Sequence, residues 1–145
     1  MSYRHILAAV DFSRQIDQIT AKAAELARLH GAELSLIHVV ENLPVVDSAL
    51  GPMVPYELEL TDQLVENARE RLARLAEPLG LAEDHNWLEL GSPKAEIIRM
   101  AQERGVDLIV LGSHGRHGIG LLLGSTASSV IHHASCDVLA VRLRD

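Results

Sequence analysis

The stretch GSHGRHGIGLLLGST, Gly112 to Thr126, holds five glycines in fifteen residues, with Arg116, His114 and His117 among them and two hydroxyls at its end. Glycine costs about 0.5–1 kcal/mol relative to alanine inside regular structure, so a cluster of this kind has to return something. What it offers chemically is anion binding. Without Cβ atoms in the way, backbone N–H groups can converge on a phosphate. Ser125 and Thr126 open a helical pattern, and a helix start adds free N–H donors and partial positive charge. Arg116 puts a full charge inside the loop. Hydrogen bonds to a charged partner contribute about 1.5–3 kcal/mol each, so four or five, discounted for the cost of binding, reach micromolar affinity. The rival reading is a turn whose glycines only let two elements pack. No G-K-[ST] follows, so this is not a Walker A loop, and GIGLLLG is one residue off the dinucleotide fingerprint.

Other residue types invite other chemistry. Asp11, in VDFS, can act as an acid, meet a sugar hydroxyl, or cap the following helix, which is the commonest use of aspartate there. Phosphoryl transfer needs a positioned Mg²⁺. Ser125 or Thr126 with Asp11 nearby could hold one, but no base or nucleophile accompanies them. A single acid with no neighbouring acid is not a receiver-type phosphorylation site. One Trp, two Tyr and one Phe are too few to shield a flavin. His132, His133 and Cys136 are close in sequence, yet adjacent helical residues point about 100° apart and do not share a ligand face, so no metal site is expected there. Cys136 reads as a small buried residue. His114 and His117 are placed to meet a phosphate or solvent, and His38 reads as a satisfied core histidine. Asp107 and Asp137, each before a strand, read as structural.

These candidates need elements to position them. HILAAVD is a short apolar run ending at Asp11. Ile16, Ile19, Ala23, Leu26 and His30 form a helical stripe that closes at Gly31. AELSLIHVV follows as a second buried strand. Residues 41–55 carry three prolines and no period, as either a cover over a site or a plain surface connection. Leu64, Ala68, Leu72, Leu75 and Leu79 mark the next helix, with Glu66, Arg69, Glu70 and Arg74 on a solvated face. A third strand ends near Gly91, and Ser92 and Pro93 start a helix that closes at Gly105. VDLIVLG is the fourth strand. Ala127, Val130, Ile131 and Ala134 mark the last helix, and residues 137–143 form the last strand. Strands alternating with helices predict an α/β, doubly wound, five-stranded parallel sheet with helices on both faces, strand order 3-2-1-4-5, as a single domain over residues 1–145. In such a sheet ligands bind beyond the carboxyl ends of the strands where the order reverses, which brings Asp11 and Gly112 to one crevice with Val39 beside them.

The chain is 48% hydrophobic, with only 3% aromatics and a net charge of −7, which argues against a nucleic-acid partner. No apolar stretch approaches the length of a membrane span, the N-terminal run lacks the marks of a signal peptide, and one cysteine permits no internal disulfide. The expected location is the cytoplasm.

HILAAVDFS, LIHVV, GSPKAEIIRMAQERGVDLIVLGSHGRHG and LLLGSTASSVIHHASCDVLAVR together resemble the universal stress protein family along the whole chain. The resemblance implies a doubly wound domain that dimerises and, in ATP-binding members, a G-x2-G-x9-G-[ST] motif. Gly112-Ser113-His114-Gly115 matches its first half and Gly124-Ser125 its second, but eight residues, not nine, lie between Gly115 and Gly124. Carried over to this sequence, the resemblance implies ATP, with or without Mg²⁺, held by Ala9, Val10, Asp11, Val39, Gly112, Ser113, His114, Gly115, Arg116, Gly124, Ser125 and Thr126. Asp11 would meet the ribose or adenine, and the backbone at Val39 the adenine edge. Ala9 stands where other members often have proline or threonine. It also implies a homodimer through the last strand, with Val138, Leu139, Ala140 and Val141 as the contact core, and signalling to a protein partner. Binding rather than fast turnover is the expected event. The alternatives are a dimeric module without nucleotide and a slow ATPase.

Overall fold

The computed structural model describes residues 2–41, 55–114 and 123–144, with side chains of the second helix from residue 60 onward. Strands β1 (His5–Ala9), β2 (Glu33–Val40), β3 (Asn86–Leu90), β4 (Leu108–Gly112) and β5 (Asp137–Val141) alternate with helices α1 (Ile16–His30), α2 (Pro55–Ala76), α3 (Pro93–Glu103) and α4 (Ser125–His133). All four strand pairings are parallel and the sheet order is β3-β2-β1-β4-β5. This is the doubly wound order expected from the sequence.

The strand residues sort by parity onto two faces, as a pleat requires. Ile6, Ala8, Val10, Leu34, Leu36, Leu108 and Val110 pack against Ile19, Ala23 and Ala27 of α1 and Leu72 and Ala76 of α2. Leu7, Ala9, Ile37, Val39, Trp87, Ile109 and Leu111 pack against Ile97, Met100 and Ala101 of α3 and Ala127 and Val130 of α4. Because both faces are covered, β1, β2 and β4 carry apolar residues on both faces rather than alternating, with His5, Ser35 and His38 as polar exceptions inside β1 and β2.

The helix ends show how local chemistry sets the layout. Gly31 takes the left-handed conformation (φ 63°) and its N–H closes the last turn of α1. α3 starts with Ser92 at its cap position and Pro93 inside it, but the Ser92 side chain makes no cap bond; its carbonyl accepts from the Glu96 N–H at 2.9 Å. α2 ends at Ala76 and tightens into a one-turn 3-10 helix at Glu77–Leu79, where the sequence pattern ran on as one helix. A second such turn, Glu83–His85, leads into β3. Two residues of the predicted stripes are not core: Leu64 and Ile131 are both exposed. β5 ends at Val141, two residues before the expected end, and Leu143 turns back into the α1 side of the core. The proline-rich connection falls mostly outside the described residues.

Candidate functional site

β1 and β4 lie side by side, but their following helices go to opposite faces of the sheet. Their carboxyl ends therefore part, and a cavity of about 670 Å³ opens there. Of the residues expected at a site, Ala9, Val10, Asp11, Val39, Gly112, His114, Gly124, Ser125 and Thr126 all line it. Gly115, Arg116 and His117 lie outside the described residues.

The start of α4 supplies the donors. Gly124 holds the N-cap position in extended conformation (φ −65°, ψ 156°), and no side chain caps the helix. The first backbone N–H to find a partner inside α4 is that of Ser128, which donates to the Gly124 carbonyl. The N–H groups of Ser125, Thr126 and Ala127 thus belong to the unsatisfied first turn, with the positive end of the helix dipole behind them. No acidic residue sits in that turn.

Two residues of the expected phosphate loop are otherwise engaged. The Ser113 N–H donates to the Val141 carbonyl at 2.8 Å, and its own carbonyl accepts the Gly124 N–H at 2.7 Å. Ser113 is not on the cavity wall. Its position in the G-S-H-G pattern suggested an amide open to a ligand, but β5 and the start of α4 have taken both of its backbone groups. Gly112 has a packing duty as well as a place on the wall. A Cβ there would lie 2.8 Å from the Leu143 side chain and 3.2 Å from both the Ile19 side chain and the His114 carbonyl. A side chain there requires Leu143 to shift and crowds the His114 carbonyl, so packing as well as the cavity constrains the position.

Asp11 does not cap α1, whose N-cap position is Gln15. The Asp11 carboxylate instead accepts the Ser13 N–H at 3.1 Å, an Asx turn that folds the chain back beside the cavity. The next residue, Phe12, is the only non-glycine among the described residues at positive φ (59°). That conformation costs an L residue about 1–3 kcal/mol and persists only where the surroundings over-determine it. Here the Phe12 ring lies 4.2 Å from the His38 ring on one side, with the Arg71 guanidinium carbon 4.3 Å from its centroid. His38 is in turn hydrogen-bonded through Nδ1 to the Val10 carbonyl at 2.7 Å, the satisfied histidine that the sequence suggested.

Arg71 is a cavity-lining cation that the sequence reading did not single out. It comes from α2 with Leu64, Asn67 and Ala68, which also line the cavity. The signal was present: positions 64, 67, 68 and 71 recur at helical spacing on one face, so the exposed Leu64 marks a surface turned to the cavity rather than to the core.

The remaining candidates stay apart from this site. Asp107 accepts the N–H groups of Arg4 and His5 at 2.8 and 3.0 Å, and Asp137 accepts the Tyr3 hydroxyl at 2.8 Å, all at the other end of the sheet. His133 is bonded to the Ser129 carbonyl, and its ring lies 6.4 Å from that of His132. Cys136 is half-buried, and burial, then Asp137 and Asp107, push its thiol pKa up. No helix among the described residues is long and apolar enough to cross a membrane.

Comparison with known proteins agrees with this architecture. The model of the universal stress protein family matches residues 2–142. The chain is 43% identical to universal stress protein A homolog 2 of Coxiella burnetii, over 99% of this chain and 97% of that one. Among solved structures it is similar to the universal stress protein UspA from Lactobacillus plantarum, with a TM-score of 0.79, 30% identity and coverage of 98% of this chain and 99% of that one. A more distant structure, of a universal stress protein in complex with cAMP, shares the fold with a TM-score of 0.62 and 22% identity, covering 98% of each chain.

Proposed function

The chain belongs to the universal stress protein family, and from that premise we propose that it is a stress-response protein that binds ATP or a related adenine nucleotide in the cavity between the ends of β1 and β4. One observation carries the reading: the uncapped first turn of α4 opens onto a cavity that Asp11 and Val39 also line. Polyphosphate meets the free amides of Ser125, Thr126 and Ala127, and the Arg71 guanidinium adds charge from α2. The apolar wall of Ala9, Val39 and Ile97 receives the base. Asp11, its carboxylate already turned toward the Ser13 amide, presents its remaining acceptor capacity to a ribose hydroxyl. The fold neighbour solved with cAMP sets that ligand beside ATP as one to test.

Three amide donors and one guanidinium, at about 1.5–3 kcal/mol each before the cost of association, place the affinity in the micromolar range. Among the described residues of the cavity wall no hydroxyl is paired with a base, and we take binding as the working event. The chain signals as a homodimer paired through β5. Among the described strands this edge strand pairs with β4 alone, and Leu139 is exposed on it.

The test is calorimetry with ATP and Mg²⁺ and separately with cAMP, set against Ser125→Pro. Proline is well tolerated at the first helical position, and Gly124 already has the extended backbone that a residue before proline requires. The substitution removes one amide donor while α4 stays formed. Affinity falls about tenfold or more, in line with one charged hydrogen bond. No heat from the wild type with either nucleotide, and no nucleotide released from freshly purified protein, overturns the reading. The main-chain engagement of Ser113 and Gly124 favours a second reading, an interaction module that takes no nucleotide, and that result would establish it. Light scattering reads the dimer directly.

A further inference from the structure

At the amino-terminal end of the sheet, His5, Glu33 and His85 converge. His5 opens β1 and Glu33 opens β2, and the two are direct register partners. His85 immediately precedes Asn86, whose register partner Leu36 follows Ser35. One donor atom from each of His5, Glu33 and His85 lies within 4.8 Å of the other two. Ser35 is fully buried, and its hydroxyl sits 2.8 Å from His5 Nε2 and 2.9 Å from His85 Nδ1. We propose that His5, His85 and Glu33 form a binding site for a divalent transition metal of the zinc class, at the end of the sheet opposite the cavity.

The donor set suits that ion. Two imidazole nitrogens and one carboxylate are the ligands of open zinc sites, and imidazole discriminates against calcium and magnesium. The surroundings are those of a ligand histidine. The His5 ring makes a hydrogen bond with the backbone of Arg104, and the edge-on Trp87 ring, 5.6 Å away, backs it. Metal-bound histidines are commonly oriented by such a bond to a main-chain carbonyl. Glu33 and Asp107 bring negative charge to the His5 ring. Tetrahedral ligation at about 2.0–2.1 Å brings donor atoms to about 3.3 Å from one another, so the cluster has to close by at most about 1.5 Å. His85 is the residue placed to swing, and doing so exchanges its bond to Ser35 for the metal. It ends a one-turn helix and is half-buried, whereas His5 lies within β1. Glu33 is exposed and keeps the fourth position open to water.

The experiment uses full-length protein stripped with chelator, without nucleotide. Zn²⁺ is titrated in competition with a chromophoric chelator, and Co²⁺ is added separately as an optical probe. The wild type takes up one Zn²⁺ per chain and gives the intense visible bands of a low-coordinate Co²⁺ site. His85→Gln and Glu33→Gln each weaken Zn²⁺ at least tenfold and abolish those bands. The double variant His132→Gln/His133→Gln, at the exposed histidine pair on α4, leaves both readouts unchanged. Glu33 is a surface residue, so its variant carries the result even where His85→Gln fails to fold. No stoichiometric Zn²⁺, a weak octahedral Co²⁺ spectrum, or binding lost only in the His132/His133 variant overturns the proposal.

Discussion

The two ends of this sheet are built from the same five strands and treat polar atoms in opposite ways. At the amino end, several polar side chains are committed to partners within the protein, although the Asn86 Oδ1 is buried without one among the described residues. Asp107 takes two backbone N–H groups, Asp137 takes the Tyr3 hydroxyl, and Ser35 takes two imidazoles. At the carboxyl end, the first turn of α4 is left uncapped beside a cavity, and Phe12 is held in a costly backbone conformation. The contrast is what stability and ligand binding respectively demand. Donors committed to the protein lower its free energy, while donors held in reserve lower the free energy of a complex. The carboxyl end is not uniformly open, however. Ser113 and Gly124 bond to each other there, and Gly112 is pressed between Leu143 and Ile19, so part of the glycine-rich segment serves the fold.

The sharpest way to break this division is Gly112→Val. If Gly112 serves packing, the added side chain collides with Leu143, Ile19 and the His114 carbonyl, and urea denaturation records a loss of about 3 kcal/mol, the upper part of the overpacking range. A variant of unchanged stability but lost nucleotide affinity would move Gly112 to the ligand's side of the comparison. Asp107→Ala probes the amino end. It strips the partners from the Arg4 and His5 N–H groups at the start of β1, and the same measurement shows a smaller loss of about 1–2 kcal/mol with nucleotide affinity unchanged.

The smallest effect is a slope with pH. Burial, foremost, and His85 lower the pKa of His5 from its ordinary value of 6.5, against the opposing pull of Glu33, the Arg104 backbone bond and Asp107. The folded chain therefore favours neutral His5. The unfolded chain takes up its proton first as pH falls through about 6.5, and stability declines from there until the folded pKa is passed. Urea midpoints in chelator between about pH 7.5 and pH 5.5 fall for the wild type and fall less for His5→Gln. An equal slope in both would assign the effect to other groups.

The fold was legible because its signals are local or periodic. Gly31 and Pro93 mark helix ends through their own backbone limits, and the runs in β1, β2 and β4 are apolar on both faces because helices cover both. The crevice followed from topology, which put Asp11, Val39 and Gly112 on one cavity. What stayed illegible depends on contacts across long separations. Nothing near Ser113 says that Val141 claims its N–H, and nothing near Gly112 says that Leu143 returns to fill its Cβ position. The His5–Ser35–His85 cluster draws one residue from each of three segments, and only the register of β1, β2 and β3 brings them together. Arg71 is an intermediate case: the 64, 67, 68, 71 spacing was visible, but which neighbour it faces was not.

The Ser35 hydroxyl owns a single hydrogen, and it stands between two ring nitrogens. It can hand that hydrogen to one imidazole only, so while both rings are uncharged the other must supply its own. The two histidines, eighty positions apart in the chain, therefore cannot settle their tautomers separately. The bond from the His5 ring to the Arg104 carbonyl decides between the two settings: it spends the one ring proton of a neutral His5, so Nε2 takes the serine hydrogen and the His85 ring donates to the serine oxygen.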